Sequence, residues 1–122
     1  MTTLREISAA IDRALPLCEA VSREPADLEA RQALALALAA LVDPSTLELC
    51  QRTGAETRGL CSFVHFLARI ARDCMMLSDA PDPFMQFMIG SKARDLLALL
   101  PELKKALNGV SRSGKEANKP FH

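Results

Sequence analysis

Apolar residues recur at three- and four-residue steps along most of the chain. Residues 4–21 place Leu4, Ile7, Ile11, Ala14, Leu15, Cys18 and Val21 on one stripe and Arg5, Glu6, Ser8, Asp12, Arg13 and Glu19 opposite it, which predicts an amphipathic helix. Pro16 removes one backbone hydrogen bond and bends this helix, but it lies on the polar side, where water satisfies the freed carbonyl. Pro101 repeats that arrangement in the last helix. The second helix is different, because Leu34, Leu36, Leu38, Leu41 and Val42 surround most of its circumference. Ala and Leu are strong helix formers and no β-branched residue precedes Val42, so the alternating Ala-Leu run is helix rather than strand. A helix that is apolar all round is buried on several sides, either at the centre of its own bundle or closed by another subunit. The expectation taken from it is a homodimer, with Leu34, Leu36, Leu38 and Leu41 as the self-association surface.

Three helix starts share an acidic residue followed by proline: Glu24-Pro25, Asp43-Pro44 and Asp82-Pro83. Proline suits the first helical position because its missing N–H would be unpaired there, and the acid favours the positive helix terminus. Glu24 is the weaker cap, and Ser22 competes with it. A short third helix is expected from 44 to about 52. Thr53-Gly54-Ala55-Glu56 has the spacing of a capping box, although Gly54 also suits the end of the preceding helix. The fourth helix, about 55–78, buries Leu60, Phe63, Val64, Leu67, Ile70, Ala71 and Cys74. The fifth begins at Pro83, with a bend at Gly90-Ser91, and continues to Gly109. From Val110 onward apolar periodicity is lost. The fold class is all-α: one compact bundle of about five helices over 1–109 and a flexible, slightly basic tail over 110–122.

A chain of 122 residues, 49% hydrophobic and 25% charged, has the composition of a soluble globular domain that can bury one core. Zero formal net charge supplies no general field to gather nucleic acid or an anionic membrane. Four cysteines at 18, 50, 61 and 74 form no C-x-x-C pair, and Glu6 and Asp12 stand where a signal peptide would be apolar, so the expectation is a cytoplasmic protein with reduced thiols. The longest apolar run, residues 33–42, is roughly half the length a membrane-spanning helix requires.

Candidate chemistry is sparse. Gly109 to Lys115 has P-loop spacing, but Glu116 follows where Ser or Thr would hold magnesium, and the run follows a helix rather than a strand. Cys61 and His65 are neighbours on a helix, and Cys50 and Cys74 would be needed to complete a zinc site. Cys61 and Cys74 diverge by roughly 140° around the axis, so these cysteines read better as small apolar side chains. His65 is the one histidine away from the terminus, and neither a nucleophile elbow nor a paired-carboxylate motif is present. No catalytic residue, cofactor or metal ligand is assigned. Tyr and Trp are absent, and direct nucleic-acid binding is not favoured.

What survives is a surplus of apolar surface. His65, Arg69, Arg72 and Met76 follow at steps of four, three and four, almost opposite the buried face of the fourth helix. Phe66 lies at the other edge of its apolar arc. Beyond the turn, Phe84, Met85, Phe87, Met88 and Ile89 occupy roughly 200° of the fifth helix, more than one packing face needs. Methionine adapts to differing shapes and arginine is favoured at interface anchors. His65, Phe66, Arg69, Arg72, Met76, Phe84, Met85, Phe87 and Met88 are therefore the candidate partner-binding residues. The expected function is a non-catalytic regulator or adaptor that masks a surface of another protein, for example an antiactivator of a transcription regulator, or a chaperone. The alternatives are a helical domain holding a small ligand in a Met/Phe-lined pocket and, third, an enzyme of unrecognised class.

Overall fold

The computed structural model describes residues 3–117, with side chains through residue 109. It contains five helices: α1 (Leu4–Arg23), α2 (Leu28–Val42), α3 (Pro44–Cys50), α4 (Ala55–Met75) and α5 (Pro83–Ala117). Strands are absent among the described residues. The main packing runs in a closed ring, α1 against α2, α2 against α4, α4 against α5 and α5 against α1, while the short α3 lies on α2 and α4. The neighbours are antiparallel. Arg31 near the start of α2 meets the end of α4, Leu60 early in α4 shares a groove with Lys105 and Ala106 late in α5, and Lys104 of α5 pairs with Asp12 of α1 at 2.6 Å.

Each helix contributes a stripe to the core at the expected period. Ile7, Ile11, Ala14, Cys18 and Val21 are buried from α1. Ile89, Ala93, Leu96, Leu100, Leu103 and Leu107 are buried from α5 at alternating steps of four and three, the seam by which antiparallel helices interlock. Pro16 and Pro101 both lie inside helices, and both are exposed. Leu34, Leu38 and Leu41 of α2 are buried within the same chain, whereas Leu36 is 81% exposed. The expected self-association quartet is thus corrected: three of its members pack against α1 and α4 of their own bundle and present nothing to a second copy.

The caps hold in two cases of three. Asp43 accepts the Ser45 N–H at 2.9 Å before Pro44, and Asp82 accepts the Met85 N–H at 2.8 Å before Pro83. The Ser45 N–H and hydroxyl hold the Asp43 carboxyl below its ordinary value. The Glu24-Pro25 start is wrong, because Glu24 instead closes α1 through its N–H to the Ala20 carbonyl, and Asp27 caps α2 through the Ala30 N–H. Asp has the shorter side chain that reaches an N-terminal amide, which is why it displaces Glu. Gly54 precedes α4 with no side-chain cap, so the Thr53–Glu56 box does not form; the Thr53 hydroxyl donates to the Cys50 carbonyl instead. The span of α5 runs past Gly109 to Ala117, taking in the Gly109–Lys115 run, and the rest of the expected tail lies outside the described residues.

Candidate partner-binding surface

The turn between α4 and α5 is held from beneath by a residue that periodicity did not single out. Arg31 is fully buried on the inner face of α2, between Leu34 and the open end of α4. Its guanidinium donates to the carbonyls of Met75 at 2.9 Å, Ser78 at 2.7 Å and Asp79 at 3.3 Å, while Nε has no hydrogen-bond partner. The last carbonyls of a helix have no partner within it and carry its negative end, so a planar cation with several donors is well matched to them. The sequence signal was available: an arginine at the position three before Leu34 and seven before Leu38 on an otherwise apolar face. It reads as solvated charge until a helix end is seen to need it.

On this support, α4 presents two distinct stripes. His65, Arg69 and Arg72 line a groove of about 640 Å³ with Val42, Pro44, Leu47, Glu48, Gln51 and Asp73, on the side of α4 that faces α2 and α3. Nε2 of His65 lies 3.2 Å from the Val42 carbonyl, so that nitrogen carries the proton and donates to the open end of α2. Glu48 is paired with Arg52. Met76, at the close of the helix, is exposed as expected from its phase.

The second stripe lies about 100° around the helix, on the side toward α5. Phe63, Phe66 and Ile70 follow there at steps of three and four, and Leu77 lies in the turn beyond the helix. Phe63, Phe66 and Leu77 each expose more than half their surface, as do Phe84 and Phe87 at the start of α5, from 55% for Phe63 to 69% for Phe84. Met85 and Met88 are half-buried beside them, and Ile89 enters the core. Phe63 was expected inside and is corrected to the surface; Leu77, in the turn that follows, is also outside. The reason is geometric. The inner arc of α4 is filled by Cys61, Val64, Leu67, Ala68, Ala71, Cys74 and Met75, and no room is left on it for the edge positions. The candidate set therefore does not form one patch: His65, Arg69 and Arg72 line the α2–α3–α4 groove, whereas Phe66 lies exposed on the other side of α4 and Phe84 and Phe87 are exposed in the first turns of α5.

All four cysteines are buried free thiols. Burial pushes Cys18 up to about 12 and raises Cys74, with nearby Lys92 opposing the rise. Among the described residues, no group of three or more His, Cys, Asp or Glu side chains is placed to hold a metal ion, and no single helix is long and apolar enough to cross a membrane.

The chain matches no protein-family model, no curated protein and no solved structure.

Proposed function

We propose that the chain is a non-catalytic protein-binding module, a regulator or adaptor that covers an apolar surface of another protein with its α4–α5 face. The observation that supports this reading is the outward placement of Phe63, Phe66, Leu77, Phe84 and Phe87 on a bundle whose core is otherwise closed. Each of the five exposes more than half of a large apolar side chain, and four of them are aromatic. Aromatic side chains are the residues most enriched at binding hot spots, since they bury much area with few rotatable bonds. An antiactivator that occludes a regulator's binding surface is one form such a module takes. Self-association is retained in the proposal through exposed Leu36 rather than the buried leucines of α2.

A Met/Phe-lined ligand pocket has less support: Phe84 and Phe87 face outward, and no Phe or Met side chain lines the 640 Å³ groove. Site-specific photo-crosslinking tests the preferred reading in the native host. A crosslinking side chain at Phe66 or Phe84 should trap the same partner, and one at Glu19 on the far helix should trap none. Equal trapping at all three positions, or none at Phe66 and Phe84, refutes it.

A further inference from the structure

Side chains of both signs line the α2–α3–α4 groove, but no ion pair bridges its walls. The chain bends by 49° between α2 and α3, which carries α3 off the line of α2 and leaves the space of about 640 Å³ beside α4. Three contacts fix this bend. The Asp43 carboxylate accepts the Ser45 N–H at 2.9 Å, the Thr46 hydroxyl donates to the Ala40 carbonyl at 2.6 Å, and His65 of α4 donates to the Val42 carbonyl at 3.2 Å. The groove is thus held open by the fold itself, which spares a ligand the cost of ordering it.

Its walls differ in chemistry. Val42, Pro44 and Leu47 supply apolar surface on the α2–α3 side, and Arg69 and Arg72, three residues apart on α4, supply two cations. Both arginines are exposed and make no hydrogen bond or ion pair among the described residues. Glu48 on the α3 wall is engaged instead with Arg52, in the turn after α3, at 3.6 Å. Asp73, also on α4, forms no ion pair with either arginine. Because Nε2 of His65 is committed to the Val42 carbonyl, Nδ1 of the same ring is left as an acceptor.

We propose that this groove binds a short acidic segment of another protein, one that carries two carboxylates beside an apolar side chain. Each part of such a segment has a counterpart. The guanidinium fork matches a carboxylate bidentately, and helix positions three apart hold their Cβ atoms about 5–6 Å from one another. Acids at i and i+3 or i+4 of a partner helix have the same spacing and meet Arg69 and Arg72 in register. The apolar side chain then covers Val42, Pro44 and Leu47, and an N–H of the segment supplies the donor that Nδ1 of His65 accepts. A nucleic acid offers anions but no aliphatic group for the apolar wall, and its evenly spaced phosphates would also face Glu48 and Asp73. A peptide places its two charges on the α4 side alone. This site is separate from the exposed phenylalanines, and its test does not depend on them.

The test is NMR titration of the full-length, nitrogen-labelled chain with two synthetic peptides: an amphipathic leucine–glutamate peptide, and the same peptide with lysine in place of every glutamate. The glutamate peptide should give saturable shifts at the amides of Leu47, Gln51 and Arg69, with affinity falling as NaCl is raised, and the lysine peptide should give none there. Arg69→Glu with Arg72→Glu should weaken the glutamate peptide by roughly tenfold or more and turn the preference toward the lysine peptide, an exchange that a merely structural role for the arginines would not produce. No saturable shifts in the groove with the glutamate peptide, equal shifts with both peptides, or an unchanged preference in the charge-reversed chain overturns the proposal. So does a single-stranded oligonucleotide that shifts the same amides as strongly as the glutamate peptide. The two peptides on the wild-type chain decide the matter even if the double variant fails to fold, and either result leaves crosslinking at Phe66 and Phe84 to be judged by itself.

Discussion

Replacing Arg31 with methionine keeps an unbranched stem in the core and removes the guanidinium that holds the end of α4. The three carbonyl contacts, two at 2.9 Å or less and one at 3.3 Å, are charge-assisted; the two short ones contribute about 1.5–3 kcal/mol each. Against this stands the cost of keeping a cation out of water, several kcal/mol, and an Nε with no acceptor. These large terms offset one another in the variant. What does not cancel is the Met75 carbonyl, orphaned beside a fully buried residue at about 1–3 kcal/mol, and the loss of a cation at a helix C-terminus, up to about 2 kcal/mol. The carbonyls of Ser78 and Asp79 are near the surface and regain water. The expected net loss is about 2–4 kcal/mol, a large part of the ~5–15 kcal/mol that holds a domain folded. In urea this lowers the midpoint by roughly 1–2 M at unchanged m-value. Hydrogen exchange should show the amides of Met76 and Leu77, which bond to Asp73 and Cys74 carbonyls, losing protection before the rest of α4. Arg31→Lys, with a point charge instead of a fork, should recover part of the loss. A methionine variant as stable as wild type would refute the clamp, since it would show the buried cation to be merely tolerated.

The other expectations concern the two sides of α2, a buried thiol and the aromatic face. Leu38→Ala, at a position with no solvent exposure, should cost about 2–5 kcal/mol by urea unfolding, whereas Leu36→Ala should stay within about 0.5 kcal/mol; equal effects would mean that α2 is oriented wrongly. Cys18 titrates at about 12 in the fold against 9.0 when free, so the unfolded chain releases its proton first, and stability is full below pH ~9 and falls as pH rises toward the folded value. A Cys18→Ala variant should show a shallower loss of Tm between those limits, and an identical slope would remove Cys18 from the account. Phe66→Glu with Phe84→Glu should leave the melting curve within a few degrees of wild type, because both side chains are outside, yet reduce the yield of partner trapped from a crosslinking side chain at Phe87 at least tenfold, as expected when hot-spot aromatics worth ~2 kcal/mol or more are lost. Unchanged trapping would move the binding surface elsewhere.

Periodicity was enough to read the five helices and most of the inner stripes because each buried face repeats at 3.6 residues and two Asp-Pro pairs mark their starts. It was weaker where a choice depended on neighbours. An all-apolar α2 is compatible with a second subunit or with burial in its own bundle; Leu34, Leu38 and Leu41 are buried where α2 packs on α1 and α4, while Leu36 on the same helix stays exposed. Phe63 sits at the edge of an arc that a wider contact would have covered, and helical phase alone does not give the width of a contact. Arg31 was invisible for a different reason: a charge on an apolar face acquires its meaning from carbonyls 44 or more residues away in sequence.

That distant contact links the core to the proposed binding face. The turn after α4 carries Met76 and Leu77 outward and leads into Phe84, and its course depends on three carbonyls converging on one guanidinium from α2. Apolar side chains on an unsupported turn would collapse onto the nearest core surface, since burial is favourable at roughly 25 cal/mol per Å². Here the inner positions are already taken by Met75 and Ile89, both fully buried, and the turn backbone is tied inward by Arg31, so Leu77 and Phe84 are left outside. Their exposure follows from a filled core and a fixed backbone, not from a loose segment. If so, Arg31→Met should weaken partner capture at Phe84 under conditions where the bundle remains folded; capture unchanged in such a folded variant would separate the clamp from the binding face.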